Sequence, residues 1–145
     1  DCDEIIYGNK ISYIVEQVQK HGTVCLKQHQ FFYKKNYLWK NKNWESAIAT
    51  YYSKINPKFP GNWRHGGHRV TEEYVGCHFS WCMDVDAMIH KLHTYPHTVT
   101  YRFCAKRDIL EDAIKNKKYP FDPRVDFNIE EISSDDERLP ESMRE

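Results

Sequence analysis

The sequence has no run of apolar residues near the roughly 20 that a membrane-spanning helix requires, and it opens with no signal peptide. It also does not begin with Met, and its first residues, Asp1-Cys2-Asp3-Glu4, look like the middle of a motif. We therefore expect this chain to be a piece of a longer protein, with any anchor or targeting segment upstream.

An excess of positive charge is also missing. The 21 Lys and Arg residues balance 21 Asp and Glu, which gives a net charge of +0 and a pI near 7.2. A general nucleic-acid-binding protein carries an excess of basic residues. The composition therefore argues against nucleic acid as a partner.

Aromatic residues, by contrast, are abundant. They make up 14% of a chain of 145 residues, which is the length of one ordinary domain with a substantial core. This composition favours a globular protein with a cleft or interface lined by rings. The five cysteines fit neither a closed disulfide framework nor a cysteine-poor cytosolic protein.

The first half is predicted to contain a helix, two strands and two loops. Apolar residues at helical spacing begin at Ile11, and Gly22 is placed as a C-terminal cap. The segments that follow are a strand over 23–33, a polar loop over 34–45, a strand over 47–55, for which a short helix is the alternative, and a loop over 57–67.

The second half is predicted to hold a strand and two helices before an acidic end. A strand and turn over 70–82 precede a helix that Asp84 caps, and a second helix runs from Asp108, its predicted N-cap, to Lys118. We divide the chain into a main portion, 1–129, and an acidic, solvated C-terminal tail, 130–145, in which Leu139-Pro140 is a candidate to dock on the domain.

The first candidate site is the acidic stretch Asp1-Cys2-Asp3-Glu4. Side chains at positions i and i+2 of an extended segment point the same way, so Asp1 and Asp3 can converge on a divalent ion that neutralises a nucleotide diphosphate. The alternative is an acidic chain end in water.

The second candidate site is Gly76-Cys77-His78-Phe79-Ser80-Trp81-Cys82. His78 is a candidate to complete a metal site with Asp1 or Asp3, and we expect the two stretches to meet in space. Two other interpretations are a core histidine with both nitrogens hydrogen-bonded, and a zinc site. The zinc site would join His78 to Cys77, Cys82, His90 or His93, although the Cys and His spacing fits a zinc finger only loosely.

Further candidates lie near the predicted helix starts. Asp84 and Asp86 are candidate general bases, although N-capping explains Asp84 equally well. Lys106 and Arg107 precede a helix N-terminus, where a diphosphate can bind, and the alternative is a solvated basic turn. The tryptophans are candidate platforms for a sugar ring, with Trp39, Trp44 and Trp63 in predicted loops and Trp81 in the central motif.

In this order, the motifs resemble glycosyltransferase family 17, the β-1,4-mannosyl-glycoprotein 4-β-N-acetylglucosaminyltransferase family. The matching segments are Asp1-Cys2-Asp3-Glu4-Ile5, the aromatic strand 31–33 with its Trp-bearing continuation to Ala47, Gly76-x-His78-x-Ser80-Trp81-Cys82, Pro96-His97-Thr98, Lys106-Arg107-Asp108, Tyr119-Pro120-Phe121-Asp122 and Leu139-Pro140. The chain departs from the family where Cys77 replaces a Trp, Phe79 replaces a Cys, and Val99 replaces the Glu of some members.

The resemblance implies an α/β fold, namely the C-terminal part of a Rossmann-like nucleotide-sugar transferase (GT-A type) domain with a mixed sheet and flanking helices. It implies a divalent ion such as Mn²⁺, UDP-N-acetylglucosamine as donor, a glycan or glycoprotein acceptor such as mannose, and an inverting β-1,4 transfer. Asp1, Asp3 and His78 would hold the ion, and His78, Trp81, Lys106 and Arg107 would contact the nucleotide sugar. Glu4, Asp84 and Asp86 are the candidates for the base.

Two functions outside this expectation stay open. One is a small Cys/His metal-binding interaction module, in which the acidic tail is a docking segment. The other is a glycan-binding homologue that has kept the fold and lost the activity.

Overall fold

The computed structural model describes residues 3–54, 67–94 and 98–144. Six strands form one sheet: β1 Glu4–Ile6, β2 Thr23–Phe32, β3 Tyr37–Thr50, β4 Arg69–Val70, β5 Gly76–Ser80 and β6 Ile129–Glu131. The α-helices are α1 Ile11–His21, α2 Val85–Thr94, α3 Thr98–Tyr101 and α4 Arg107–Lys115, with short 3₁₀ turns between elements. Within the described ranges, no helix combines the length and apolar character needed to cross a bilayer.

The sheet is mixed, and β2 lies at its centre. The strand order is β1-β5-β2-β3-β6, and the short β4 also pairs with β2. Strand β2 runs antiparallel to β3 and parallel to β4 and β5. The structure therefore confirms the expected α/β class with a mixed sheet and flanking helices.

Helix α1 forms as the sequence predicts. Ile14 and Val18 are buried one turn apart, and they pack with Val24 and Leu26 of β2. Gly22 ends the helix with φ +80°, and its N–H donates to the carbonyl of Val18 at 2.7 Å. This positive φ favours glycine because a Cβ is disfavoured there.

The predicted loop over 34–45 is wrong, because most of it belongs to β3. The chain turns within 33–36 and re-enters the sheet at Tyr37. Two register shifts between β2 and β3, at Leu26/Gln28 and His29/Phe31, insert unpaired residues in the longer strand. These irregularities interrupt the alternation of polar and apolar residues, so the pattern resembles a loop.

The strand predicted over 47–55 is confirmed only as far as Thr50. A 3₁₀ turn, Tyr52–Lys54, follows it. The predicted loop over 57–67 lies outside the described residues except for Gly67.

Both predicted helices of the second half are present, but only one is capped as expected. Asp84 caps α2, since its Oδ1 accepts the N–H of Ala87 at 2.7 Å. Asp108 is not the N-cap of α4: Lys106 holds that position in an extended conformation, and its side chain makes no capping hydrogen bond. The N-cap therefore lies two residues earlier than the sequence pattern predicts, and the helix ends at Lys115 instead of Lys118.

The C-terminal segment packs on the domain, which confirms the expected docking of Leu139-Pro140 and corrects the expectation that the whole segment is solvated. Strand β6 pairs with β3, and Ile132 and Leu139 are buried against Phe31 of the sheet. Arg138 binds the carboxylates of Glu130 and Asp136 at 2.9 and 2.7 Å. Apolar burial and ion pairing together hold this segment.

Gly76→Ala is expected to destabilise the protein, because the new Cβ would lie 2.2 Å from the carbonyl oxygen of Ile5. That atom belongs to the backbone of β1, so relieving the overlap requires the strand to move. We expect a loss of about 3 kcal/mol in the free energy of unfolding, measured by urea titration. The control is Gly8→Ala, where a Cβ meets nothing within 4 Å. An equal effect of both variants would contradict this account.

Candidate functional site

Strands β1 and β5 bring the two candidate stretches together. Glu4 pairs with His78 and Ile5 with Cys77 in the antiparallel register. The backbone N–H of Phe79 donates to the carbonyl of Asp3 at 2.8 Å. The expectation that the acidic stretch and the central motif meet in space is therefore confirmed for the described residues, while Asp1 and Cys2 lie outside them.

Alternation along β5 separates the central motif between the two faces of the sheet. Cys77 faces the cluster that buries the C-terminal segment, and its Sγ lies 3.0 Å from the hydroxyl of Tyr7 and 3.1 Å from the carbonyl of Arg138. His78 faces the other side, where Trp44 packs on it. Cys77 and His78 therefore cannot act on one ligand.

His78 lies at the centre of a set of polar and aromatic contacts. Its imidazole stacks on Trp44 with 3.9 Å between ring centroids and 8° between planes. Its Nε2 lies 3.4 Å from Oδ2 of Asp3. Trp44 in turn donates its indole N–H to Oε1 of Glu4 at 2.9 Å. These contacts fix the positions of the imidazole and of both carboxylate residues.

Burial lowers the pKa of His78, and the nearby carboxylates of Asp3 and Glu4 oppose that shift without reversing it. The imidazole is therefore neutral near pH 7. A neutral imidazole beside a carboxylate is a combination that binds divalent transition metals such as Mn²⁺.

Two glutamines extend the polar face along β2. In the parallel register, Gln28 pairs with Gly76 and Gln30 pairs with His78. Their exposed fractions are 0% and 4%. Oε1 of each glutamine and Nδ1 of His78 have no hydrogen-bond partner among the described residues.

The metal prediction stays a prediction. Asp3 and His78 are adjacent as it requires, and Asp1, the third expected ligand, lies outside the described residues. Across 3–54, 67–94 and 98–144, no group of three or more His, Cys, Asp and Glu side chains has metal-binding geometry.

The structure does not bring the expected zinc ligands together. Cys77 faces away from His78, while His90 and His93 are exposed on α2. Burial raises the pKa of Cys82 to about 12, so its thiol is protonated near pH 7 in the metal-free protein.

The remaining predicted catalytic and phosphate-binding residues lie near the starts of α2 and α4. Asp84 is engaged as the cap of α2. Asp86 and Arg107 form an ion pair with each other, and their side chains are 79% and 53% exposed. Lys106 is exposed beside them. In the structure, Asp86 therefore forms an ion pair with Arg107. Asp3 and Glu4, by contrast, lie beside His78.

The tryptophans divide between the core and the site. Trp39 is 3% exposed in the core, so the expectation that it lines a cleft is wrong. Trp44 lies in β3 instead of a loop, but it contacts the candidate site. Trp81 takes φ +59° after β5 and packs on Phe121 with centroids 5.0 Å apart. Trp63 lies outside the described residues.

Sequence reasoning missed Gln28, Gln30 and Lys91. The two glutamines continue the face that carries Val24 and Leu26, so a polar interruption of a buried face was a usable signal. Lys91 lies on α2, and its charge lowers the pKa of both His78 and Cys82. Its position beside the motif depends on how α2 packs, which no local pattern indicates.

The opposite face of the sheet carries a second feature, a cleft of about 860 Å³ between β1 and the C-terminal segment. His29 lines it and stacks on Tyr74, with centroids 3.8 Å apart and planes 5° apart. Burial, reinforced by Arg138, lowers the pKa of His29 to about 4. His29 is therefore neutral in the folded protein near pH 7.

Comparisons with family models, curated proteins and solved structures found no match to this chain.

We expect acid to destabilise the protein through His29. This group titrates near pH 6.5 when unfolded and near pH 4 when folded, so between these values the unfolded chain binds the extra proton. The contribution of His29 to the free energy of unfolding is fully present above pH 6.5. It falls by about 2 kcal/mol, after allowance for partial exposure, as the pH drops to 4.

His29→Phe keeps a ring against Tyr74 and removes the titrating group. Urea unfolding at several pH values should give a flatter profile for this variant between pH 6.5 and 4. His78 shifts in the same direction in both proteins, so the difference between the profiles isolates His29. Parallel profiles would show that His29 does not cause the acid sensitivity.

Proposed function

We propose that this chain is part of the catalytic domain of an inverting, metal-dependent glycosyltransferase of the GT-A type. In this proposal the donor is UDP-N-acetylglucosamine and the acceptor is a sugar hydroxyl of a glycan, as the resemblance to glycosyltransferase family 17 implies. The observation that carries the proposal is the contact between Asp3 of the Asp-x-Asp motif and His78 of the central motif, at 3.4 Å. Two motifs far apart in sequence thereby form one polar site.

The chemistry of this pair suits a nucleotide-sugar donor. Asp3 offers a carboxylate oxygen and His78 a neutral imidazole nitrogen, and Asp1 would add a second carboxylate. The divalent ion, when bound, would neutralise charge on the diphosphate of the leaving UDP. The stacking of His78 on Trp44 holds the imidazole in place.

Glu4 is the carboxylate we assign as the base. The Asp84 side chain caps α2, and Asp86 binds Arg107 at the surface. Glu4 instead lies opposite His78 in the sheet, and its Oε1 accepts from Trp44 at 2.9 Å. A positioned carboxylate can accept the proton of the attacking hydroxyl.

Lys91 is the cation we assign to the diphosphate. The ion pairs of Arg107 with Asp86 and Glu111 occupy that guanidinium. Lys91 lies over the ring of Trp81 at 4.8 Å and is close enough to the site to lower the pKa of His78. A lysine ammonium is a common partner of phosphate.

Asp3→Asn tests the proposal in the full-length protein. With Mn²⁺ and UDP-N-acetylglucosamine, we expect the variant to lower kcat/KM for donor hydrolysis by about 100-fold or more, because it removes a charge that holds the ion. Release of UDP measures the rate. The matched control is Asp135→Asn, an exposed carboxylate on the C-terminal segment, which should leave the rate unchanged.

Equal rates for wild type and Asp3→Asn would refute the metal-binding role of Asp3. Absence of hydrolysis together with binding of glycans would instead support the glycan-binding homologue. Retention of stoichiometric zinc that is lost on Cys82→Ser would support the metal-binding module.

A further inference from the structure

We propose that the cleft of about 860 Å³ beside His29 binds a neutral oligosaccharide. We call it the His29 cleft. In the proposed transferase, this oligosaccharide is the part of the acceptor glycan that does not react. That role rests on the proposed function, whereas the binding itself can be measured without donor or metal.

The His29 cleft has two walls. One wall is β1 with the turn that follows it, residues 5–10, and the other is the C-terminal segment over 137–144. His29 and Tyr74 complete the lining. Sites for small ligands are roughly 300–1,000 Å³ in volume. The His29 cleft lies in this range and is larger than a single sugar ring.

The lining of the cleft is held in place by contacts within the protein. His29 stacks on Tyr74 with ring centroids 3.8 Å apart, and the Tyr74 hydroxyl donates to Oδ1 of Asn43 at 2.5 Å. On the opposite wall, the guanidinium of Arg144 donates to the carbonyl of Leu139 at 2.9 Å. A site whose side chains are already ordered loses little conformational entropy when a ligand binds.

The imidazole of His29 is open to a ligand. Within the described residues its contacts are stacking on Tyr74 and the charges of nearby side chains, with no hydrogen bond to either nitrogen. Unlike Nδ1 of His78, neither nitrogen is among the fully buried unpaired atoms, so a molecule in the cleft can reach them. A neutral imidazole offers one donor and one acceptor.

The charges of the His29 cleft disfavour an anionic ligand. Two of its cations already have carboxylate partners. The pairs are Lys10 with Glu73 at 2.6 Å, and Arg138 with Glu130 at 2.9 Å and Asp136 at 2.7 Å. Arg144 lines the cleft together with the exposed carboxylates of Glu137 and Glu141. Carboxylates therefore outnumber cations, which disfavours phosphates and nucleotides.

The hydrogen-bonding groups of the cleft match sugar hydroxyls. The amide of Asn9, the hydroxyl of Ser142 and the imidazole of His29 can each donate and accept, and the carboxylates accept. An apolar ligand would leave these groups without partners. A sugar hydroxyl also donates and accepts, and it carries no charge. A neutral oligosaccharide thus fits the charge, the hydrogen-bonding groups and the size of the cleft.

The His29 cleft adjoins the proposed active site. A smaller cleft of about 460 Å³ is lined by Asp3, and Ile5 lines both clefts. The 3₁₀ turn Glu141–Met143 also borders both, since Ser142 lines the larger cleft and Met143 the smaller one. An oligosaccharide in the His29 cleft can therefore extend past Ile5 toward Asp3. This arrangement predicts a preference for acceptors with more than one sugar.

Gly8→Trp and His29→Phe test the inference. Gly8 lines the cleft and a Cβ there meets nothing within 4 Å, so an indole can occupy the space without displacing the backbone. His29→Phe keeps a ring against Tyr74 and removes both nitrogens. Calorimetric titration of the full-length protein with mannotriose and chitotriose should show affinity lowered about tenfold or more in each variant. The matched control is His93→Phe, an exposed histidine on α2, which should leave the affinity unchanged.

The inference is overturned if wild type binds neither trisaccharide, or if both variants bind them as wild type does. Binding of inorganic phosphate or spermidine in place of the trisaccharides would also overturn it, because the cleft would then select charge. Urea unfolding of each variant identifies one that fails to fold, and the other position then decides the test.

The outcomes separate this inference from the proposed function. Trisaccharide binding without release of UDP from UDP-N-acetylglucosamine keeps the cleft and refutes the transferase. Release of UDP without trisaccharide binding keeps the transferase and refutes the cleft. If both activities are present, His29→Phe should raise KM for a trisaccharide acceptor about tenfold and leave kcat unchanged. An unchanged KM would refute the role of the cleft in acceptor binding.

Discussion

The close pairing of β1 with β5 is the constraint on which the candidate site depends. The carbonyl of Ile5 approaches Gly76 so closely that a side chain there would overlap it. This approach sets the register that places Glu4 opposite His78 and brings Asp3 within 3.4 Å of the imidazole. The glycine of the central motif therefore acts through backbone geometry, and the histidine two residues later supplies the chemistry.

The parallel alignment of β2 with β5 brings two buried glutamines, Gln28 and Gln30, to the face of the sheet that carries His78. It places Gln30 beside His78, and both are buried between two apolar clusters. Polar groups in such a position lower stability unless something binds them.

Side chains alternate along β5, so the residues on the two faces of the sheet have different roles. Cys77 is structural: its thiol contacts Tyr7, and the neighbouring apolar residues bury Ile132 and Leu139 of the C-terminal segment. Burial raises the pKa of Cys77 to about 12, so the thiol stays neutral. The central motif is therefore split between a core and a site, and its histidine carries the chemistry we propose.

The sequence by itself determined the features that arise from neighbouring residues. Helical spacing and Gly22 predicted α1, and Asp84 predicted the start of α2, because caps and periodicity act within a few residues. The pairing of the two motifs was also anticipated from their chemistry. Tertiary structure alone decided that 37–50 is a strand and that Trp39 belongs to the core.

Tertiary structure also decided which polar groups meet. It joined Asp86 to Arg107 at the surface and placed Gln30 beside His78 in the interior. Register between distant strands and the packing of α2 against α4 set these contacts. No local pattern encodes them, because a shift of one residue in strand pairing would move every side chain to the other face.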